Sequence, residues 1–404
     1  MAAVRVREAE SADACPGVLR LHAAADGQLA RVRVPGGRLD ARALKALAEA
    51  ASLGSDIVEL TSRAGLQVRG LSEGSERTLV DVLTRAGLLP SLAHDRVRNI
   101  LAAPLAGRGP AAFAPVDPIV EQLDRALCAD AELAELPGRF LFAVDDGTHA
   151  LGPVRADIEL VAERGGAFRL YLDGLATSLA VAPADAPAAA LRASHAFLAM
   201  RGEDKDGAWR VRELHGGARR VAQALGLDVL DRANAGDARA TSHAAGSGDA
   251  PARRPARRLG VHVQRDGLFA VAVLPPLARL GRDQLLRLTE LASLFDTEVR
   301  VSPWRTLTFV DVRADATTGL LADLEQIGLI ASDTSGWAGL SACAGLGACA
   351  RALTDVRAEA TARAAVRDAG SPTEHWSACE RRCGEPADVG IRFVAGVEQL
   401  EARA

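Results

Sequence analysis

Two separated stretches of the chain carry the same pattern of apolar and polar positions. Residues 29–34 largely alternate apolar and charged side chains, the period of two expected of a half-buried strand. A proline turn follows, and then Leu44, Leu47, Ala48 and Ala51 recur at three- and four-residue spacing, one core-facing stripe of a helix. Residues 268–274, another proline turn, and Leu285, Leu288, Leu291 and Ala292 repeat that order. Each copy closes on a further strand, so the pattern predicts a β-α-β unit written twice, with 35–71 matching 275–312. Between the copies, strands are predicted at 140–144, 158–161 and 168–172 and helices at 118–127, 186–200 and 219–225, a mixed α+β domain. The stretch 231–256 is rich in Ala, Gly, Asp, Ser and Pro without periodicity and reads as a solvated linker. The expected organisation is a half-domain at 1–92, a mixed domain at 93–230, the linker, a second half-domain at 257–332 and a cysteine-bearing domain at 333–404.

Length and composition sharpen this picture. With 404 residues and 49% hydrophobic content the chain can bury more than one core. A formal net charge of −4 argues against nucleic acid or an anionic membrane as the main partner. No apolar run approaches the roughly 20 residues of a membrane span, and the N-terminus is charged where a signal peptide is apolar, so a cytoplasmic protein is expected.

Six cysteines include four between 343 and 383, which suits a metal site in a reducing compartment better than a disulfide framework. Cys15 and Cys128 stand apart as structural residues. Cys343 and Cys349 form a C-x5-C pair, and Cys379 and Cys383 a C-x3-C pair. Soft thiolates select zinc, copper(I) or an iron–sulfur cluster. Structural zinc prefers tighter knuckles, and Gly345 and Gly347 would let the backbone wrap closely around inorganic sulfide, so a 4Fe-4S cluster is expected and zinc is the competing reading.

Arginines supply the second constellation. Arg31 and Arg33 share one face of an extended strand, while Arg63, Gln67 and Arg69 fall at even-numbered separations along an expected strand over 60–70, and Arg98 with Asn99 opens a third segment. Forked guanidinium donors match carboxylates, so this clustering in a negatively charged chain predicts a localised polyanion site, against the bland alternative of exposed surface ion pairs.

C-x5-C followed by C-x3-C resembles the cluster signature of the sirohaem-containing sulfite and nitrite reductases. RVRVPGG (31–37), LTSRAGLQVRG (60–70) and RNILAAPLAG (98–107) resemble that family's tetrapyrrole-binding segments. The resemblance implies an α+β fold of two ferredoxin-like β-α-β half-domains, each followed by a mixed domain that binds the cluster or tetrapyrrole. It also implies that Arg31, Arg33, Arg63, Gln67, Arg69, Arg98, Asn99, Arg139 and Arg305 contact tetrapyrrole carboxylates. Arg300 and Trp304 accompany Arg305 in the second copy.

Family reductases commonly carry two lysines in a segment resembling 136–147; here the places are Arg139 and Leu141, and leucine donates no proton. PWR (303–305), GLSACAG (339–345), HWSACERRCG (375–384) and FAVDDG (142–147) resemble the precorrin-3B synthase branch instead. That resemblance implies precorrin-3A as substrate, hydroxylated at C20 by O2 with γ-lactone formation, a mononuclear non-haem iron beside the cluster, and electrons from NADH or an electron-donor protein. No spacing singles out ligands for that iron; His262 and His375 are candidates, and no catalytic residue is assigned. The alternatives are a sirohaem-dependent reductase, a non-catalytic carrier and a zinc-stapled structural protein.

Overall fold

A computed structural model describes residues 15–152, 154–203, 207–230, 258–386 and 388–396; the expected linker at 231–256 lies outside them. The first part of the chain forms β1 (His22–Ala24), β2 (Gly27–Val32), β3 (Arg38–Leu39), α1 (Ala41–Ala51), β4 (Ile57–Leu60), β5 (Leu66–Leu71) and α2 (Glu76–Arg85). The middle forms β6 (Ile100–Leu101), α3 (Asp117–Ala129), β7 (Phe142–Asp145), β8 (Ile158–Ala162), β9 (Phe168–Leu172), β10 (Leu175–Val181), α4 (Ala186–Glu203) and α5 (Gly217–Ala224). The last part forms β11 (Gly260–Val263), β12 (Phe269–Val273), β13 (Arg279–Gly281), α6 (Arg282–Leu294), β14 (Glu298–Val301), β15 (Leu307–Val312) and α7 (Thr317–Gln326). It ends in β16 (Leu340–Ala342), α8 (Val356–Val366), β17 (Glu374–Ser377) and β18 (Ile391–Val394).

These elements sort into two compact units, one built from 17–90, 103–110 and 253–404 and the other from 1–16, 91–102 and 111–252. The first unit contains both copies of the repeat and the cysteine-bearing segment. Its two main sheets run β1-β2-β5-β4-β13 and β11-β12-β15-β14-β3. Each copy therefore lends a short strand to the other's sheet: Leu280 lies opposite Val58, and Leu39 opposite Val299. The ferredoxin-like pair expected from the sequence is present, fused by strand exchange.

The apolar stripes make the core. Leu44 and Leu47 of α1 and Leu285, Leu288 and Leu291 of α6 are buried, and the two helices pack on each other. Asp40 caps α1 by accepting from the Ala43 N–H at 2.7 Å. In the second copy Gly281 stands there, and the Gln284 side chain reaches back to its N–H at 2.8 Å instead. The turn before β3 is forced to use glycine: Gly37 has φ +70°, and a Cβ there would sit 2.0 Å from the Val301 carbonyl oxygen.

Also in this unit, β16-β17-β18 form a parallel sheet covered by α8, with Leu340, Ala360 and Ala364 packed against Leu277, Trp337 and Trp376. The other unit is a mixed sheet in the order β10-β9-β8-β7-β6, in which β6, β7 and β8 are parallel. Phe140 packs edge-on to Phe142 at 5.2 Å and tilted to Phe197 of α4 at 4.8 Å. Among the described residues, no helix is long and apolar enough to cross a membrane.

Candidate functional site

One sheet of the repeat has a buried apolar face and a partly buried polar one. Ala30, Val32, Val58, Leu66 and Val68 form its apolar face. On the other face the register sets Arg31 opposite Gln67, Gln67 opposite Glu59, and Glu59 opposite Arg279, a polar row across four strands. Arg31 donates to Gln67 Oε1 at 3.0 Å. Two residues along β5, Arg69 lies on the same face, 6% exposed. Its guanidinium binds Asp26 through two bonds of 2.9 Å, lies 3.7 Å from Glu59 and donates to the Ala348 carbonyl at 2.7 Å. Glu59 also accepts from Arg357 of α8 and lies 3.8 Å from Arg279. Burial lowers the pKa of the Arg279 guanidinium and the neighbouring Arg357 lowers it further, with Glu59 opposing both. The cations outnumber the carboxylates here, which suits a neighbouring anion.

That anion's place is marked by the cysteines. Parallel β16 and β17 run side by side, so the loops leaving them start together, and the Cys343 N–H donates to the Trp376 carbonyl at 2.9 Å. The Ala378 N–H donates to Cys343 Sγ at 3.3 Å, the kind of backbone bond that stabilises a thiolate. The Cys383 thiol is pushed above its ordinary pKa by burial and then by Cys379, Cys343 and Cys349, so the four sulfurs share one electrostatic neighbourhood. Among the described residues, no three His, Cys, Asp or Glu side chains are grouped to hold one metal ion. Four thiols in one electrostatic neighbourhood beside cationic arginines could hold an iron–sulfur cluster or zinc.

The remaining predicted residues are placed as follows. Arg33 is buried. Arg63 is not on a strand: β4 ends at Leu60 and β5 begins at Leu66, so the expected run over 60–70 is a hairpin. Thr61 Oγ1 closes it by accepting the Arg63 and Gly65 N–H groups at 3.3 and 3.2 Å, and Ala64 takes φ +51°. In the second copy Ser302 closes the matching turn, which puts Arg305 in the left-handed position at φ +63° and Trp304 in the place of Arg63. Arg305 donates to the Gly384 carbonyl, next to Cys383. Arg300 of β14 is buried and donates to Glu298 Oε2 at 2.7 Å.

Arg98, Asn99 and Arg139 belong to the other compact unit. Arg98, 4% exposed, pairs with Asp124 through bonds of 2.7 and 2.6 Å. The Asn99 amide donates to the carbonyls of Gly138 and Phe140 at 3.1 Å each, tying β6 to the β7 approach. Arg139 lies over the Trp209 ring at 4.4 Å, and Leu141 is buried with its N–H bound to Asp157 Oδ2 at 2.8 Å. Burial and then Asp124 raise the Cys128 thiol to about 11, leaving it protonated and unreactive.

His262 Nε2 donates to the Arg258 carbonyl at 3.0 Å, and His375 is bonded through Nδ1 to Ser341 Oγ at 2.9 Å. Full burial, with Arg305 nearby, brings His375 down to about 3, so its imidazole is neutral. Glu59, Arg279, Arg357 and Asp26 went unpredicted. Each is an isolated charge in sequence, and only their shared row shows their role.

The sequence stretches 22–86 and 262–327 match the nitrite/sulfite reductase ferredoxin-like half domain. The chain is 26% identical over 389 residues to the ferredoxin–nitrite reductase of Synechococcus elongatus, covering 90% of this chain and 75% of that protein. It is 35% identical over 169 residues to a precorrin-3B synthase of Sinorhizobium sp., covering 41% of this chain and 36% of that protein. The fold is similar to that of the Mycobacterium tuberculosis NirA protein, with a TM-score of 0.66 at 19% identity over 90% of this chain and 70% of the other. The chain thus carries two copies of the nitrite/sulfite reductase ferredoxin-like half domain, joined by strand exchange and followed by paired cysteine loops.

Proposed function

We propose that the chain is a precorrin-3B synthase, an oxygen-dependent enzyme that hydroxylates precorrin-3A at C20 and closes a γ-lactone. The observation that carries this reading is Leu141, a buried apolar side chain where the reductase resemblance expects a lysine, with Arg139 of the same segment stacked on Trp209. A pocket that reduces sulfite or nitrite needs proton donors at the oxyanion, and these side chains supply none. The higher identity to the synthase over its shorter alignment supports the same choice.

Cys343, Cys349, Cys379 and Cys383 would hold a 4Fe-4S cluster, which when bound supplies single electrons. Arg31, Arg33 and Gln67 would orient the macrocycle through its carboxylates. In the overall reaction one oxygen atom enters the macrocycle and the other leaves as water, with two electrons and two protons supplied through a reductant such as NADH or an electron-donor protein. The mononuclear iron stays a proposal without assigned ligands: His375 already spends Nδ1 on Ser341, and His262 is bonded to a backbone carbonyl.

The second reading is a sirohaem-dependent reductase, favoured by the alignment that spans 75% of a nitrite reductase. One experiment separates them. Protein purified anaerobically is examined for its visible spectrum, iron and labile sulfide, then given precorrin-3A, oxygen and reductant. A product heavier by one oxygen atom supports the synthase. A sirohaem Soret band with reduction of sulfite or nitrite, and no turnover of precorrin-3A, overturns it.

A further inference from the structure

We propose that Arg69 and Arg305, one from each copy of the repeat, are positioning residues that clamp the two cysteine loops, rather than anchors for a tetrapyrrole. The inference rests on the cluster reading above. Each guanidinium reaches a backbone carbonyl beside the second cysteine of a pair: Arg69 holds Ala348, the residue before Cys349, and Arg305 holds Gly384, the residue after Cys383. The clamps are long in sequence, 279 residues for the first and 79 for the second, so the repeat holds loops that follow it in the chain.

Arg69 has little capacity left for a ligand. Asp26 takes two of its donors, Ala348 takes another, and Glu59 neutralises its far side. Asp26 and Glu59 in turn fix the guanidinium in one orientation, and Glu59 extends the clamp to Arg357, in the first turn of the helix that follows the first cysteine loop. Arg305 is held by its own backbone: the Ser302 turn places it in the left-handed region. Opposite it, Gly384 has φ +81°, and a Cβ there would lie 3.2 Å from the Arg305 guanidinium, so the loop is shaped to receive the arginine. Both clamps also leave a permanent cation beside a net-anionic cluster, which favours its reduced form.

The test uses full-length protein purified anaerobically, as wild type and as Arg69→Met, Arg69→Lys and Arg305→Met. Iron and labile sulfide, the rate of cluster bleaching in air, the midpoint potential by EPR-monitored titration, and the affinity for a polycarboxylate porphyrin are measured. Loss of a clamp is expected to speed bleaching about tenfold or more and to move the potential to more negative values. Arg69→Lys is expected to restore the potential, because the charge remains, but not the resistance to air, because the forked bonds do not. Porphyrin affinity is expected to stay within roughly twofold of wild type, since both guanidiniums are assigned to the loop carbonyls.

Unchanged bleaching and potential with a tenfold or greater loss of porphyrin affinity, about 1.4 kcal/mol, would show tetrapyrrole anchors and overturn the proposal. Should the methionine variants fail to fold, Glu59→Gln removes a negative charge from the same cluster, and its potential must move the opposite way; no movement overturns the proposal. Wild-type protein without iron and sulfide would instead defeat the cluster reading, and the clamps with it. That result is separable from a loaded wild type whose variants behave identically.

Discussion

Gly37 and Ala278 hold the same place in the two repeat copies, both with positive φ, yet only one is glycine. The difference is steric: at Gly37 a Cβ would meet the Val301 carbonyl oxygen at 2.0 Å, closer than any adjustment of a rigid strand can relieve. Gly37→Ala is therefore expected to lower stability by well over the roughly 1–2 kcal/mol of left-handed strain alone, read as a clear fall in melting temperature. Ala278→Gly is expected to be nearly neutral, because relief of that strain offsets roughly 0.4–1 kcal/mol of added unfolded-state entropy. Equal effects of the two changes would remove the steric argument. A similar contrast applies to the arginines. Arg98 is committed to Asp124 inside its own unit, so Arg98→Met should cost about 3–5 kcal/mol in denaturant titration through an orphaned carboxylate. A variant as stable as wild type would show that this pair is not a structural one. The sequence shows which side chains could bind a carboxylate. It does not show which already do, because Asp26 and Arg69 are 43 positions apart and nothing local marks the pairing.

Strands and helices with a full period were legible; those without one were not. The helix stripes and the strands of the middle domain lie where periodicity puts them, because two or more turns or alternations average out individual residues. β3 and β13 are two and three residues long, too short for any pattern, so the exchange that fuses the two copies was invisible. The parallel β16-β17 pairing escaped for another reason, its partners being separated by a helix and held by side chains. Glu374 on β17 is fully buried and receives Arg363 at 3.0 and 3.1 Å and Arg367 at 3.0 Å, both from the end of α8. Burial alone would raise the Glu374 carboxyl; the two guanidiniums outweigh it and bring it below 4.5. A carboxyl depressed in the folded state contributes stability above its unfolded pKa and loses it as pH falls through the folded value. Wild type should thus lose stability below about pH 4.5, while Glu374→Gln, already weakened by about 3–5 kcal/mol at neutral pH, should show a flatter acid limb. Parallel acid limbs in denaturant titrations would mean that some other carboxylate governs acid unfolding.

Across the whole molecule the duplication is exact in backbone and inverted in charge. The register that sets Glu59 opposite Arg279 in one sheet sets Arg300 opposite Arg38 in the other. Around Glu59 gather arginines; around Arg300 and Arg38 lies Glu298, with Asp311 bound by Arg108 and Gln264. One copy thus carries a cationic row beside the cysteine loops, while in the other each carboxylate is held by arginines, Glu298 by Arg38 and Arg300 and Asp311 by Arg108. This division predicts how the molecule responds to losing the cluster. Cys379 lies outside the repeat core, which is closed by α1, α6 and the two exchanged sheets, and outside the Leu340–Ala360–Ala364 cluster that packs α8 on its own sheet. Cys379→Ser should therefore abolish iron and labile sulfide and the brown absorbance, while far-UV circular dichroism stays close to wild type. Full retention of the chromophore would contradict the ligand assignment. Loss of the far-UV signal together with the chromophore would mean that the cluster, and not the duplicated core, is what holds the cysteine segment folded.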